Sequence, residues 1–374
     1  MRIHHVQYMK KKYGGSETYI DYIRAASRHS HDVGYAKGSS PVGSDESEFL
    51  RCYLDFKAYI SQIPEGKYDI IHSHFFMPGF FAQQRGFTSV CSSHCLLSTE
   101  FELAAFDAKS EREAREVELA SRFFRFHEEK FYPQIRNLVV YCDFHKTELE
   151  KMQASPRRMY LAFDIPQFSV SGTKEQARKD LELPERPTLL FLGRPTYLKG
   201  LHVLLGALKN LSRRKSIQLL VVGDFLKDEM GRIGYQPCIG TERNTLYEDE
   251  NDNIIVRTDQ ARSQIPKYFA ASDVLICPSF YEAGVSYVNL EAMASGVPII
   301  ASDIPGLSLV IKNRSNGLLF KPGDSEELEA RVNELLGDET LRLQIAENNR
   351  KLVKKYDNKR AAEELDDFYE SLNK

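Results

Sequence analysis

No apolar run in this sequence of 374 residues approaches the ~20 residues a helix needs to span a bilayer. The opening MRIHHVQYMKKK has no apolar core of the kind a secretory signal requires. Both absences point to a cytoplasmic protein, with room for peripheral contact at the inner face of a membrane. Net charge is missing as well: 50 Lys and Arg against 53 Asp and Glu leave −3. No whole-chain attraction draws such a protein to nucleic acid, so any anion site must be built locally. There is no low-complexity tract. The cysteines Cys52, Cys91, Cys95, Cys142, Cys238 and Cys277 are scattered, several of them in apolar stretches, which suits reduced core residues. Cys91, His94 and Cys95 could form half of a zinc site, but no second Cys or His pair completes it, and no metal is expected.

What is present reads as α/β. β-rich apolar runs alternate with helical patterns along the whole chain, as in mostly parallel sheets. Strands are expected at Ile3–Tyr8, Asp69–His72, Ser89–Ser92 and Leu138–Tyr141, with helices from Glu17 to about Ser27 and from about Ser110 to Lys130. In the second helix Phe123, Phe124 and Phe126 are expected to face the core. A second series follows Pro184, with strands at Thr188–Leu192, Leu219–Val222, Ile254–Val256, Val274–Cys277 and Pro298–Ala301. These runs imply a first domain over 1–168, a polar linker over 169–186 and a second domain over 187–355. The remaining residues, 356–374, form a helix in which Ala361, Leu365, Phe368 and Leu372 share a face that should dock on the first domain.

The densest chemistry lies in Tyr281-Glu-Ala-Gly-Val-Ser-Tyr-Val-Asn-Leu-Glu-Ala-Met-Ala-Ser-Gly-Val-Pro-Ile-Ile-Ala301. It runs from a strand end through a turn at Gly284 into a helix, then through a glycine into the next strand. The amides of Val285 and Ser286 open that helix, and a helix N-terminus attracts a diphosphate. Glu282 and Glu291 are carboxylates able to accept hydrogen bonds from sugar or ribose hydroxyls. A second cluster, Phe191-Leu-Gly-Arg-Pro-Thr-Tyr-Leu-Lys-Gly200, places Arg194 and Lys199 after a strand and Gly193. Fixed cations there would stabilise the charge growing on a departing diphosphate. Surface positions for both cations, and a plain capping region for the glutamates, are the bland readings.

Together these segments resemble the family-4 retaining glycosyltransferases of the GT-B fold. Val221-Val-Gly-Asp224, with its turn at Gly223, resembles the family's next strand end. Ala270–Ser279 and Asn316-Gly-Leu-Leu-Phe with Pro322-Gly-Asp324 follow in the family's order. The resemblance implies two Rossmann-like domains facing across a cleft, with the C-terminal helix crossing back to the first. It implies that Arg194 and Lys199 contact the diphosphate, Glu291 the ribose and Glu282 the donor sugar. One departure concerns spacing: the family usually has seven residues between its paired glutamates, and here there are eight. Strict alignment on Glu291 puts Ala283 at the first position, so either the turn carries an extra residue or that carboxylate contact is lost.

The resemblance is sparser before Thr188. Tyr13-Gly-Gly-Ser-Glu17, with Gly14 and Gly15, resembles the family's glycine loop, and Lys10, Lys11 and Lys12 add local positive potential. Asp69-Ile-Ile-His-Ser-His74 resembles a strand end with paired histidines, although structural roles suit His72 and His74 equally. His94, ending Ser89-Val-Cys-Ser-Ser-His94, resembles the histidine that approaches the donor sugar. Tyr160-Leu-Ala-Phe-Asp164 stands where the family usually has Asn-Gly.

The expected activity is therefore transfer of a sugar from a UDP- or GDP-linked donor to a hydroxyl of a saccharide, lipid or small-molecule acceptor. The family implies retention of configuration through an oxocarbenium-like transition state, with the leaving phosphate helping to deprotonate the acceptor. No side chain stands out as a covalent nucleophile, and no cofactor or metal is expected. The acidic run Glu248-Asp-Glu-Asn-Asp252 reads as a solvated loop. A nucleotide-sugar epimerase of the same fold and a non-catalytic sugar-nucleotide-binding relative are the competing readings. Donor sugar, acceptor, linkage and oligomeric state have no signature in the sequence.

Overall fold

The computed structural model describes residues 1–7, 15–36, 46–104, 108, 110–169, 172–194, 196–214, 217–223, 254–258 and 260–373. The chain divides into two units, the first formed by Met1–Phe163 with Lys355–Lys374 and the second by Asp164–Lys354. Lys10, Lys11, Lys12, Tyr13, Gly14, Asp224, Cys238 and the run Glu248–Asp252 lie outside the described residues.

Each unit is built on a six-stranded parallel sheet. The first contains β1 (Arg2–Gln7), β2 (Ser30–Tyr35), β3 (Ile70–Ser73), β4 (Ser89–Ser92), β5 (Leu138–Val140) and β6 (Arg157–Arg158), in the order β2-β1-β3-β4-β5-β6. The second contains β7 (Thr188–Leu192), β8 (Gln218–Val222), β9 (Ile254–Arg257), β10 (Val274–Cys277), β11 (Ile299–Ser302) and β12 (Leu318–Phe320), in the order β12-β11-β10-β7-β8-β9. Strand order reverses between β1 and β3 in one and between β7 and β10 in the other. At such a switch point the loops leaving the strand C-termini diverge and open a crevice.

The strands expected from apolar runs all formed, within a residue or two of their bounds. Those not anticipated are edge strands, and β6 and β12 are also short. β2 reads SHDVGY and is largely exposed or half-exposed, so it carries no apolar run to find. β6 has two residues, and β12 falls within the Asn316–Phe320 motif without having been read as a strand. The aromatic face expected on the helix Glu111–Phe131 needs correction. Phe124 is buried at 2% exposure and Phe123 packs beside it, but Phe126 is 60% exposed. At 100° per residue, positions 124 and 126 stand about 200° apart and cannot share a face.

Polar residues 169–186 belong to the second unit. Thr173 caps the helix Lys174–Asp180, and Lys174 and Arg178 reach Asp273 at 2.5 and 2.7 Å. The C-terminal helix Asn358–Leu372 docks on the first unit against the helix Gly15–Ala26, burying Ala361, Leu365 and Phe368 as its apolar face demands. Cys91, Cys142 and Cys277 are buried free thiols. Among the described residues no helix is long and apolar enough to cross a membrane.

Candidate active site

In the second unit the candidate residues gather at the C-terminal ends of β7, β8 and β10, around its switch point. Gly193 ends β7 with φ +144°. Gly223 ends β8 directly beside it: a Cβ there would lie 2.2 Å from the Gly193 carbonyl oxygen, so only glycine fits. Arg194, next along the loop, is exposed. The loop then forms a short 3-10 turn, Tyr197–Lys199, closed by Gly200 in the left-handed region at φ +68°. That turn is clamped to the strand end after β10. The Phe280 amide donates to the Leu198 carbonyl at 2.8 Å, and Tyr197 stacks on Phe280 with ring centroids 5.1 Å apart.

This clamp delivers Lys199 to Glu282. Its Nζ donates to Glu282 Oε1 at 2.6 Å, and the same oxygen accepts from Ser279 Oγ at 2.9 Å. Burial works against the Lys199 ammonium, but the adjoining Glu282 carboxylate outweighs it and the pKa is raised. Lys199 therefore stays charged at neutral pH. Glu282 is buried at 9% exposure, and its carboxylate is held by Lys199 and Ser279. The turn is packed from outside by Gly306, where a Cβ would fall 1.8 Å from the Glu282 carbonyl oxygen and 3.2 Å from the Gly284 nitrogen.

Beyond Gly284, Val285 is buried and Ser286 is the N-cap residue of the helix Tyr287–Ser295. The Ser286 hydroxyl does not cap a backbone amide; it accepts from Asn289 Nδ2 at 2.9 Å. Glu291, in the second turn of this helix, is fully buried and ion-paired with Arg262. Neither of its carboxylate oxygens has a well-aligned hydrogen-bond donor among the described residues. Burial pushes the Glu291 pKa up, against the pull of Arg262. Glu291 is closed off from solvent and faces the Arg262 guanidinium. Ser279, Asn289 and Arg262 were not singled out from the sequence. Ser279 sat inside a recognised motif, whereas Arg262 comes from a polar turn with no signal of its own.

The first unit holds the other candidates. Gly15 is the first residue of the helix Gly15–Ala26. His94 follows β4, half-buried, with Nε2 3.0 Å from His74 Nδ1. Burial holds its pKa down at about 4, so it is neutral. His72 and His74 are buried, and each ring nitrogen of His5, His72 and His74 is hydrogen-bonded. His5 bonds His74 and His31, His72 bonds Tyr369 and Ser92, and His74 bonds His5 and His94. These three histidines are the group among the described residues whose ligand atoms lie close enough together, within 4.8 Å, for a metal ion. Any ion there would have to displace hydrogen bonds already made.

Comparison with known proteins bears on the family and the fold. The sequence model of the family described as glycosyl transferases group 1 matches residues 173–352. A D-inositol 3-phosphate glycosyltransferase of Corynebacterium kroppenstedtii is 26% identical over 83% of this chain and 68% of its own length. Among solved structures, a sucrose-phosphate synthase of Thermosynechococcus elongatus is similar with a TM-score of 0.79 at 19% identity, covering 100% of this chain and 99% of that one. HepE of Anabaena, solved with UDP-glucose, is similar with a TM-score of 0.71 at 17% identity, covering 99% of this chain and 100% of that one. The two parallel sheets and these neighbours make the fold GT-B, and residues 173–352 match the sequence model of the group 1 glycosyl transferases.

Proposed function

We propose that this protein transfers a glycosyl group from a UDP- or GDP-linked sugar to a hydroxyl acceptor, with retention of anomeric configuration. The observation that carries the reading is the Lys199–Glu282 pair set beside Gly193 and Arg194 at the switch point of the second sheet. Ligands of open α/β sheets bind outside such strand ends, and a diphosphate there meets a charged ammonium, an exposed guanidinium and a helix N-terminus. As the bond to the anomeric carbon breaks, negative charge grows on the leaving phosphate, and cations already in place stabilise it without reorganising. Glu282 orients Lys199 through a charge-assisted hydrogen bond. The same turn gives it a route to the donor sugar once phosphate takes over the ammonium.

By resemblance Glu291 takes the ribose, after Arg262 has moved aside, and His94 takes the donor sugar. The leaving phosphate accepts the acceptor's proton on the same face, so no covalent nucleophile, metal or other cofactor enters the scheme. A cytoplasmic setting suits the free thiols, and the acceptor is a saccharide, lipid or small molecule. The fold neighbour solved with UDP-glucose makes uridine donors the first to try.

The test is a panel of UDP, GDP and ADP compounds by thermal shift, followed by turnover with the matching nucleotide sugars and mixed hydroxyl acceptors. Acceptor-dependent release of nucleoside diphosphate, with an α product from an α donor, is the expected result. Epimerised donor without acceptor, inversion, or no turnover with any pair would each sink the reading.

A further inference from the structure

Between the first sheet and the helices Gly15–Ala26 and Asn358–Leu372 runs a line of hydrogen bonds that begins at a carboxylate and ends at His94. Asp366, 1% exposed on the C-terminal helix, accepts from Ser27 Oγ at 2.7 Å and from the Arg28 amide at 2.9 Å. A carboxylate can only accept, so the single hydroxyl proton of Ser27 is committed to it. The Ser27 oxygen then has only its lone pairs to offer, one to the His29 amide at 3.1 Å and one to His31 Nε2 at 2.7 Å. His31 must therefore carry its proton on Nε2.

From there the direction propagates. Burial holds the His31 and His94 pKa values at about 4 and those of His5 and His74 well below the usual range, so every ring is neutral. A neutral imidazole has one N–H and one bare nitrogen. His31 Nδ1 is bare and accepts from His5 Nε2 at 2.7 Å. His5 Nδ1 accepts from His74 Nε2 at 2.9 Å. His74 Nδ1 accepts from His94 Nε2 at 3.0 Å. Four rings in series have one consistent assignment.

We propose that Asp366 is a positioning residue that sets the tautomer of His94 from the far end of this chain, leaving His94 Nδ1 bare as an acceptor for a hydroxyl of the donor sugar. Use of that acceptor rests on the sugar-facing role given to His94 above; the tautomer itself does not. The consequence is selectivity. A bare nitrogen rewards a sugar O–H and is left unpaired by a sugar lacking it, whereas the other tautomer would offer an N–H instead.

The experiment is nitrogen-15 NMR of the full-length protein at neutral pH, correlating ring carbon-bound protons with both ring nitrogens. The His94 signals are identified by their loss in His94→Gln. Wild type is expected to show His94 with Nε2 protonated and Nδ1 bare. In Asp366→Asn the amide offers one oxygen in place of two. Where its NH2 group meets Ser27, the hydroxyl turns to His31 and the chain reverses, so a population of His94 protonated on Nδ1 should appear. Thermal melting confirms that the variant is folded. If it is not, Ser27→Ala cuts the same link while leaving the carboxylate, and the uniform His94 tautomer should be lost.

With an active donor in hand, Asp366→Asn should lower kcat/KM for that donor by about 5- to 10-fold, the worth of one hydrogen bond. His94 protonated on Nδ1 in wild type, or an unchanged tautomer in folded Asp366→Asn and Ser27→Ala, overturns the proposal. If the tautomer moves as expected but wild type turns over no nucleotide sugar, the positioning role stands and the proposed function falls.

Discussion

The two sheets have the same six-stranded parallel architecture, yet they are stabilised by different chemistry. Nine of the ten histidines, all but His202, lie in the first unit. One face of its sheet is lined by His5, His31, His72 and His74 with Ser92 and Tyr141, cross-linked by hydrogen bonds to one another and to Tyr369. The second sheet is filled by aliphatic side chains such as Leu189, Leu219, Val274 and Ile300, all fully buried. An aliphatic core gains from burial whatever the pH and tolerates rearrangement. A buried polar layer does not: each member needs its partner, in a stated protonation state, or becomes a cost. The first sheet gains defined ring orientations and loses tolerance to acid.

Acidification should expose that difference most strongly. His31 and His94 are held at about 4 and His145 at about 3 by burial. A base whose pKa is depressed in the fold contributes stability that is complete above about pH 6.5 and lost as pH falls toward its folded value. Between pH 7 and pH 5 the loss is about 2 kcal/mol for each such histidine. Hydrogen exchange, corrected for intrinsic rates, should show protection falling in β1–β4 and the C-terminal helix while β7, β10 and β11 hold. Equal loss in both sheets would erase the distinction. Glu128, pushed up to about 7 by burial, works the opposite way over this interval, so Glu128→Gln should steepen the loss.

A second contrast lies within the candidate site. Lys199 is paired with a nearly buried carboxylate and Arg194 stands exposed. Lys199→Ala should therefore reduce turnover by ~100-fold and also destabilise the second unit by about 1–3 kcal/mol, because Glu282 keeps only the Ser279 hydrogen bond and loses its counter-charge. Arg194→Ala should reduce turnover by a similar ~100-fold with an unchanged melting temperature. Near-normal transfer by either variant would remove the diphosphate assignment. The smallest expected effect is at Phe126, on the helix Glu111–Phe131. Phe124→Ala should cost about 3–5 kcal/mol and Phe126→Ser no more than ~0.5 kcal/mol, as read by chemical denaturation.

Much of this was legible beforehand because parallel strands buried on both faces are written as continuous apolar runs. Thr188–Leu192 and Val274–Cys277 are examples, and the loops leaving them carry their chemistry in short contiguous motifs. Edge strand β2 was not legible, because half-exposed SHDVGY has no such run. A single aromatic face on the helix Glu111–Phe131 fails because helical geometry separates Phe126 from Phe124. The Arg262–Glu291 pair had no signal, since 28 intervening residues separate its members and the partner sits in an ordinary polar turn.

By itself, the sequence determined the α/β alternation, the likeness to group 1 glycosyl transferases over residues 173–352 and the cluster of Gly193, Arg194, Lys199, Glu282 and Glu291. Local patterns carry all of these, because strand periodicity and strand-end loops are contiguous in the chain. Only the tertiary structure decided what those charges touch: Lys199 on Glu282, Arg262 over Glu291, and Asp366 joined through Ser27 and three imidazoles to His94. Such partners are chosen by strand order and helix docking, which bring together residues as far apart as 27 and 366 and leave no trace in local composition.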